Sequence, residues 1–140
     1  MGTIILSRDF SPSVVLGLMK PIIYCGSFPE IDRIATSINK AMAEKLLECR
    51  PLRRTMKIEV FFNEIISQLP EDSIIKDFDV LFNPEYKIDV LKIMINACKY
   101  KRFSILWPGR YENRKLFYAE EGFADYKVFA IDDYDVLCII

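Results

Sequence analysis

The sequence has 140 residues, of which 51% are hydrophobic, and its 19 basic and 20 acidic side chains give a formal net charge of −1. This length and composition predict one domain with a sizeable core over residues 1–140. The charge balance argues against a protein that binds nucleic acid over a broad electrostatic surface. The absence of histidine excludes Ser-His-Asp and Cys-His triads and histidine-ligated zinc.

The cysteines and the N-terminal segment indicate the cellular compartment. Cys25, Cys49, Cys98 and Cys138 are far apart and form no C-x-x-C pair, so we interpret them as reduced thiols rather than as zinc ligands. The first residues lack the basic region of a signal peptide, and no apolar run is long enough to span a bilayer. The sequence therefore predicts a cytoplasmic protein with no membrane partner and no bound metal.

The first third of the chain is predicted to alternate helix, strand and helix. Residues 11–20 combine an N-cap serine, a proline and apolar helical spacing, which predicts a short helix. Residues 22–25 form a compact apolar run that Gly26 stops, which predicts a buried strand. Residues 27–30 fit the Ser-x-x-Glu capping box, and helix propensity predicts one helix from there to about residue 47.

The rest of the chain is predicted to alternate strands and helices. The clearest helix covers residues 57–69, where apolar side chains recur at the i, i+3, i+4 and i+7 positions. Residues 88–98 are apolar nearly all round, which is typical of a helix buried between layers. Strands are predicted at residues 73–76, 103–107, 116–118 (a short edge strand), 126–130 and 136–140. This alternation predicts an α/β fold with a mostly parallel sheet and helices on both faces.

The turn after the first predicted strand is a candidate nucleotide site. A Walker A loop needs two glycines and a lysine, so that backbone N–H groups surround the phosphates. Gly26 and Ser27 begin the corresponding turn, but neither a second glycine nor a lysine follows. The N–H groups of the helix start make these two residues candidates for a small anion. Asp77 and Asp79 follow the strand predicted at residues 73–76, where a P-loop enzyme places a magnesium-binding carboxylate, but without a phosphate cradle the motifs do not support ATP or magnesium as cofactors.

Two further groups of residues are candidate contact surfaces. A basic group could contact the phosphates of a nucleic acid or an acidic partner, and consists of Arg50, Arg53, Arg54 and Lys57. An aromatic group follows a predicted strand end, where α/β proteins place ligands. This candidate partner surface consists of Trp107, Arg110, Tyr111 and Tyr118.

Short motifs between residues 38 and 129 resemble a known family. The pieces are Ile38-Asn39, Glu44-Lys45-Leu46-Leu47 with Arg53-Arg54, Asp79-Val80-Leu81-Phe82-Asn83-Pro84, Asp89-Val90-Leu91, Ile105-Leu106-Trp107-Pro108-Gly109, and Leu116-Phe117-Tyr118-Ala119-Glu120 with Tyr126. In this order they resemble the small P-loop proteins of type 3 bacteriophage exclusion (BREX) systems, the BrxF family. The resemblance implies a P-loop-NTPase-like fold and a role in bacterial defence against phage. It also implies a strand at residues 34–38, within the segment for which propensity predicts a continuous helix.

The sequence departs from that family at both halves of the nucleotide site. The family carries a glycine-rich Walker A loop after its first strand, where this chain has only the shortened turn that begins with Gly26 and Ser27. The strand with the family's Walker B acid aligns with Ile74-Ile75-Lys76-Asp77, so Lys76 occupies the acid's position and cannot hold magnesium. The two departures together imply a degenerate site, and the resemblance does not imply ATPase activity.

Three functions follow as hypotheses. The first is a non-catalytic, degenerate P-loop-like accessory protein of an anti-phage defence system, which docks to other defence proteins or to itself. The second is a nucleotide- or phosphate-binding enzyme with a rearranged site built from Ser27, Lys76, Asp77 and Asp79. The third is a DNA-contacting module led by the basic group, whose binding would weaken steeply with salt. The sequence favours the first hypothesis, and therefore a protein without catalytic residues.

Overall fold

A computed structural model of the protein describes residues 2–11 and 19–140. The helix predicted for residues 11–20 falls on residues 12–18, which lie outside the described residues. The helices and strands have these bounds: β1 Thr3–Ile5, β2 Ile22–Tyr24, α1 Pro29–Ile34, β3 Thr36–Ser37, α2 Asn39–Glu48, α3 Arg54–Ser67, β4 Ser73–Lys76, α4 Val90–Cys98, β5 Phe103–Leu106, β6 Arg110–Glu112, β7 Lys115–Tyr118, β8 Lys127–Ala130 and β9 Leu137–Ile139.

The larger sheet has six strands in the order β1-β9-β2-β5-β4-β3, and every pairing between them is parallel. The interior strand β2 is bounded by Pro21 and Gly26 and is rich in β-branched isoleucine, which suits a buried parallel strand. In its register, Ile23 lies opposite Ile105 on one side and Cys138 on the other. The predicted α/β class with a mostly parallel sheet is therefore confirmed.

A smaller antiparallel sheet, β6-β7-β8, is inserted between β5 and β9. The two residues that join β6 to β7, Asn113 and Arg114, both have positive φ angles of 51° and 59°, as a two-residue hairpin turn requires. Residues 116–118 were predicted as an edge strand, but β7 is the middle strand of this sheet. The prediction is wrong because β6 was not recognised: Asn-Arg is a weaker hairpin signal than Asn-Gly.

The segment that propensity assigns to one helix is divided by a short strand. Helix α1 ends at Ile34, Ala35 adopts an extended conformation with φ −72° and ψ 146°, and β3 pairs with β4 before α2 begins. The prediction of one helix is wrong. Of the strand that the family resemblance implies at residues 34–38, only Thr36–Ser37 is a strand, because Ile34 ends α1 and Ile38 caps α2. Pairing of Thr36 with Ile75 at the sheet edge gives the backbone hydrogen-bond partners that a continuous helix would have provided.

One apolar core holds the helices against the sheets. On α3, the buried side chains Ile58, Phe62, Ile65 and Ile66 repeat at helical spacing, which confirms that predicted helix. Each such side chain contributes roughly 1.5–3 kcal/mol when it is fully buried. Among the described residues, none of the helices has both the length and the apolar composition needed to cross a bilayer.

All four cysteines are free thiols, and Cys25, Cys98 and Cys138 are buried. A hydrogen bond with Cys138, together with burial, raises the pKa of the Cys25 thiol. Burial also raises the pKa of the Cys98 thiol. The Cys25 and Cys98 thiols therefore remain protonated and act as small apolar core residues, whereas Cys49 is only half-buried.

Candidate functional site

The carboxyl ends of β2 and β5 meet at a crevice, the place where open parallel sheets generally bind ligands. This β2–β5 crevice has a volume of about 310 Å³ and is lined by Gly26, Ser27, Phe28, Pro29, Asp32, Leu106 and Trp107. Gly26 has a φ of 107°, and a Cβ atom at this position would contact nothing within 4 Å. The positive φ therefore requires glycine for the turn, and the position faces open space.

The helix that follows the crevice turn provides no phosphate cradle. Its N-cap is Phe28, whose side chain makes no capping hydrogen bond, and Pro29 is its first residue. The capping box predicted for residues 27–30 is therefore wrong: the helix begins one residue later than that motif requires. Because α1 has only six residues and its first residue has no N–H group, few unpaired N–H groups remain for an anion.

Lys76 is held by the chain itself at the end of β4. Its Nζ atom lies 2.9 Å from Asp32 Oδ1 and also donates to the Asp32 backbone carbonyl at 2.8 Å. This pair joins the end of β4 to α1, the helix that follows the turn at Gly26 and Ser27. The lysine and the aspartate therefore neutralise each other beside the crevice.

The two acids after β4 are separated by their local structure. Asp77 is exposed and has a φ of 53°, in the left-handed region that aspartate tolerates in turns. Asp79 accepts a hydrogen bond of 2.8 Å from the Tyr118 hydroxyl. Burial and this bond raise the pKa of Tyr118 above its ordinary value. Within residues 2–11 and 19–140, no group of three or more acidic or cysteine side chains could surround a metal ion.

The aromatic group predicted as a partner surface is distributed between the core and the surface. Trp107 is 3% exposed, and its Nε1 atom donates to the Phe117 carbonyl at 3.0 Å. Tyr118 stacks on Phe82 with ring centroids 3.8 Å apart. Tyr111 packs partly buried against the core. Arg110 is exposed, and its guanidinium lies 4.0 Å from the Phe117 ring. Trp107 and Tyr118 thus contribute to internal packing, and Arg110 provides exposed surface.

The basic group at the junction of α2 and α3 contains one internal and three surface residues. Arg54 is half-buried, and its Nε atom donates to the carbonyls of Leu46 at 2.8 Å and Cys49 at 3.3 Å, which closes the end of α2. Arg50, Arg53 and Lys57 are exposed, and none of them takes part in the ion pairs found among the described residues.

Exposed apolar side chains lie among these free cations. Leu52 is 95% exposed, Met56 76% and Leu47 73%, and Val60 is also exposed. At 3.6 residues per turn, Met56 and Val60 lie on the side of α3 opposite the buried Ile58 and Phe62. We call this surface the basic–apolar corner; its members are Leu47, Arg50, Leu52, Arg53, Met56, Lys57 and Val60.

Sequence reasoning found the basic half of the corner but missed its apolar half. The sequence contains a pattern that indicates the apolar half. Leu52, Met56 and Val60 recur every four residues and do not belong to the apolar series that forms the core. A second apolar series on an otherwise satisfied amphipathic helix indicates a surface that another molecule covers. The comparisons with known proteins do not identify such a molecule, because no family model, curated protein or solved structure matches this chain.

Proposed function

We propose that this chain is a non-catalytic, P-loop-like accessory protein of a bacterial anti-phage defence system, and that it acts by docking to other proteins. The proposal depends on a contrast between two places. The charged Asp32 in the crevice pairs with Lys76, whereas the corner exposes apolar side chains and three cations that form no ion pair within the part of the chain that the structure describes. A protein that had kept the P-loop framework but lost nucleotide chemistry would have both features.

The arrangement of β2, α1 and β4 supports the P-loop-like part of the proposal. β2 leads through a short turn into α1, which is the strand–loop–helix unit of a P-loop. β4 is separated from β2 by β5, and yet Lys76 reaches Asp32 of α1. The turn after β2 and the end of β4 therefore meet at one edge of the sheet, and in P-loop enzymes the two halves of the nucleotide site have a similar arrangement.

The Lys76–Asp32 pair supports the non-catalytic part. A lysine in the acid's position repels magnesium, and here its ammonium group is paired with the Asp32 carboxylate and donates to the Asp32 backbone carbonyl. The turn supplies no second cation for the phosphates. Phosphoryl transfer depends on positioning and on charge stabilisation, and this crevice provides neither.

The corner supports docking to a protein rather than to DNA. Arg50, Arg53 and Lys57 could contact phosphates, but the leucine and methionine side chains between them have no counterpart in a phosphate backbone. Apolar anchors surrounded by charge are instead typical of protein interfaces.

Thermal unfolding with Mg-ATP or Mg-GTP tests the loss of nucleotide binding. A ligand present at one hundred times its Kd stabilises a protein by about 2.7 kcal/mol, which raises the Tm by several degrees. We expect no shift for the wild-type chain, nor for Lys76→Asp, which restores only the acid. A clear shift that is lost in Lys76→Ala would overturn the proposal in favour of a rearranged nucleotide site.

A phage protection assay tests the docking role. In cells that carry the complete defence system, we expect Leu52→Asp with Met56→Asp to abolish protection, because this change places charge on the contact surface. Asp77→Asn should leave protection intact. Tyr100→Asp is the matched control, because Tyr100 is 88% exposed and lies outside the corner. Loss of protection with Asp77→Asn alone would contradict a non-catalytic role.

A further inference from the structure

The turn between β7 and β8 carries charges opposite to those of the basic–apolar corner, and it also exposes an apolar side chain. This acidic loop, residues 119–125, exposes Glu120 and Glu121 and ends in the half-buried Asp125. Phe123, at its tip, is 66% exposed. Neither Glu120 nor Glu121 takes part in the ion pairs found among the described residues.

The loop has a defined shape that presents Phe123 to solvent. The Phe123 N–H donates to the Glu120 carbonyl at 3.1 Å, and the Tyr126 N–H donates to the Phe123 carbonyl at 3.1 Å. Gly122 has a φ of 97° and open space around it, so the turn depends on glycine. An exposed phenylalanine in a hydrogen-bonded turn loses little conformational entropy when another surface covers it.

The acidic loop and the corner are complementary in charge and in apolar content. The loop carries three acids, and the corner carries the three free cations Arg50, Arg53 and Lys57. Each surface holds an exposed apolar anchor among its charges, Phe123 on the loop and Met56 with Leu52 on the corner. Beside Met56 lies a groove of about 430 Å³ between α3 and α4, whose lining includes the apolar Ile88 and Ile93 and the charged Glu59, Asp89 and Lys92. The Asp89 carboxylate already accepts hydrogen bonds from the Lys92 N–H and the Tyr134 hydroxyl, and the apolar part of the groove could receive an aromatic ring.

We infer that the corner of one molecule binds the acidic loop of a second copy of this chain. Phe123 enters the groove beside Met56, while Glu120 and Glu121 pair with Arg53 and Lys57 at the rim. Because the two surfaces lie on different elements, the contact is either exchanged reciprocally within a dimer or repeated head to tail along a chain of molecules. The inference rests on the proposed docking function and names the partner.

Sedimentation of two charge-reversed variants tests this pairing. The corner variant carries Arg53→Glu and Lys57→Glu, and the loop variant carries Glu120→Lys and Glu121→Lys. In either variant alone the two surfaces have the same charge sign, so we expect monomers at concentrations where the wild-type chain associates. In an equimolar mixture the intact corner of one variant meets the intact loop of the other, so we expect association to return.

Three controls separate a specific contact from general electrostatics. Phe123→Ala should weaken association at least tenfold, as the loss of a buried aromatic anchor does, whereas Tyr100→Ala should leave it unchanged. Lys99→Glu reverses an exposed charge outside both surfaces and should also have no effect. Raising the salt concentration should weaken the wild-type contact, because exposed charges are screened.

Two outcomes would overturn the inference. One is a wild-type chain that stays monomeric at every concentration tested, and the other is association that both charge-reversed variants retain. If the chain is monomeric but the Leu52→Asp, Met56→Asp variant still loses phage protection, the docking function stands and the occupant of the corner is a different protein. If that variant also keeps full protection, the docking function fails as well.

Discussion

The β2–β5 crevice and the basic–apolar corner both contain polar and charged side chains, but they use them differently. In and around the crevice, Lys76 pairs with Asp32, the Tyr118 hydroxyl donates to Asp79, and the Trp107 indole donates to the Phe117 carbonyl. At the corner, three cations and several apolar side chains remain exposed. The comparison teaches that location at a strand end does not by itself leave polar groups available to a ligand, because the fold can use those groups internally.

The largest loss of stability is expected from substitution of Trp107, at the crevice. Its ring packs against Phe82 and Phe129 with ring centroids 5.8 and 5.7 Å apart. Trp107→Ala should lower the free energy of unfolding by about 3–5 kcal/mol, because it leaves a cavity and an unpaired carbonyl. Urea denaturation measures this change. Trp107→Phe keeps part of the packing and should cost less. If Trp107→Ala lowered the free energy of unfolding no more than Phe123→Ala does, the contacts of Trp107 would not stabilise the fold around the crevice.

The second-largest loss of stability should distinguish the half-buried Arg54 from the exposed Arg53. Arg54→Ala removes the donor to the carbonyls of Leu46 and Cys49 and should destabilise the fold by roughly 1 kcal/mol. Arg53→Ala, the matched control one residue away, should change stability by less than about 0.5 kcal/mol. Melting temperatures of the two variants make the comparison, and equal losses would show that the corner is not a free surface.

Alkaline pH should weaken the Tyr118–Asp79 contact. Burial and the hydrogen bond raise the pKa of Tyr118 above 10.0, so the folded protein retains a proton that the unfolded chain releases. This contribution to stability is complete below pH 10 and is lost as the pH rises through the higher folded-state pKa. Tyr118→Phe should cost about 1 kcal/mol at neutral pH and make the alkaline decline of Tm shallower. Tyr100→Phe is the control and should leave the profile unchanged.

The smallest effect concerns the Lys76–Asp32 pair. Both side chains are partly exposed, so solvent screens the pair and its contribution is below about 1 kcal/mol. Lys76→Asp should lower the Tm slightly because two acids then face each other, and adding Asp32→Lys should recover the loss. A double variant that is no more stable than Lys76→Asp would show that the pair does not hold α1 against β4.

The strands and helices that were predicted correctly are those specified by their own residues. β2, β5 and α3 follow from compact or periodic apolar runs with clear ends, and they could be located to within a few residues. β1 and β3 could not, because each is short and owes its strand conformation to one partner, β9 or β4. Thr36 and Ser37 carry no apolar signal, and only the pairing with Ile75 and Lys76 makes them a strand.

The candidate site was predictable in composition but not in geometry. The sequence indicates that the turn at Gly26 and Ser27 lacks a phosphate cradle, and the family resemblance implies an acid at the position of Lys76. It does not indicate that Lys76 reaches Asp32, a contact between residues 44 positions apart. Nor does it distinguish Arg54 from Arg53, because only the chain path after α2 decides which guanidinium turns inward.

The position of β9 has a consequence for synthesis of the chain. β1 and β2 do not pair with each other, since both pair with β9, and more than one hundred residues separate Tyr24 from Leu137. At about 5–20 residues per second, a ribosome needs on the order of 10 s to produce that interval. During this time the nascent chain presents unpaired strand edges that can join with other chains. The period of greatest aggregation risk is therefore set by the order in which the strands emerge, and not by the strength of the finished sheet.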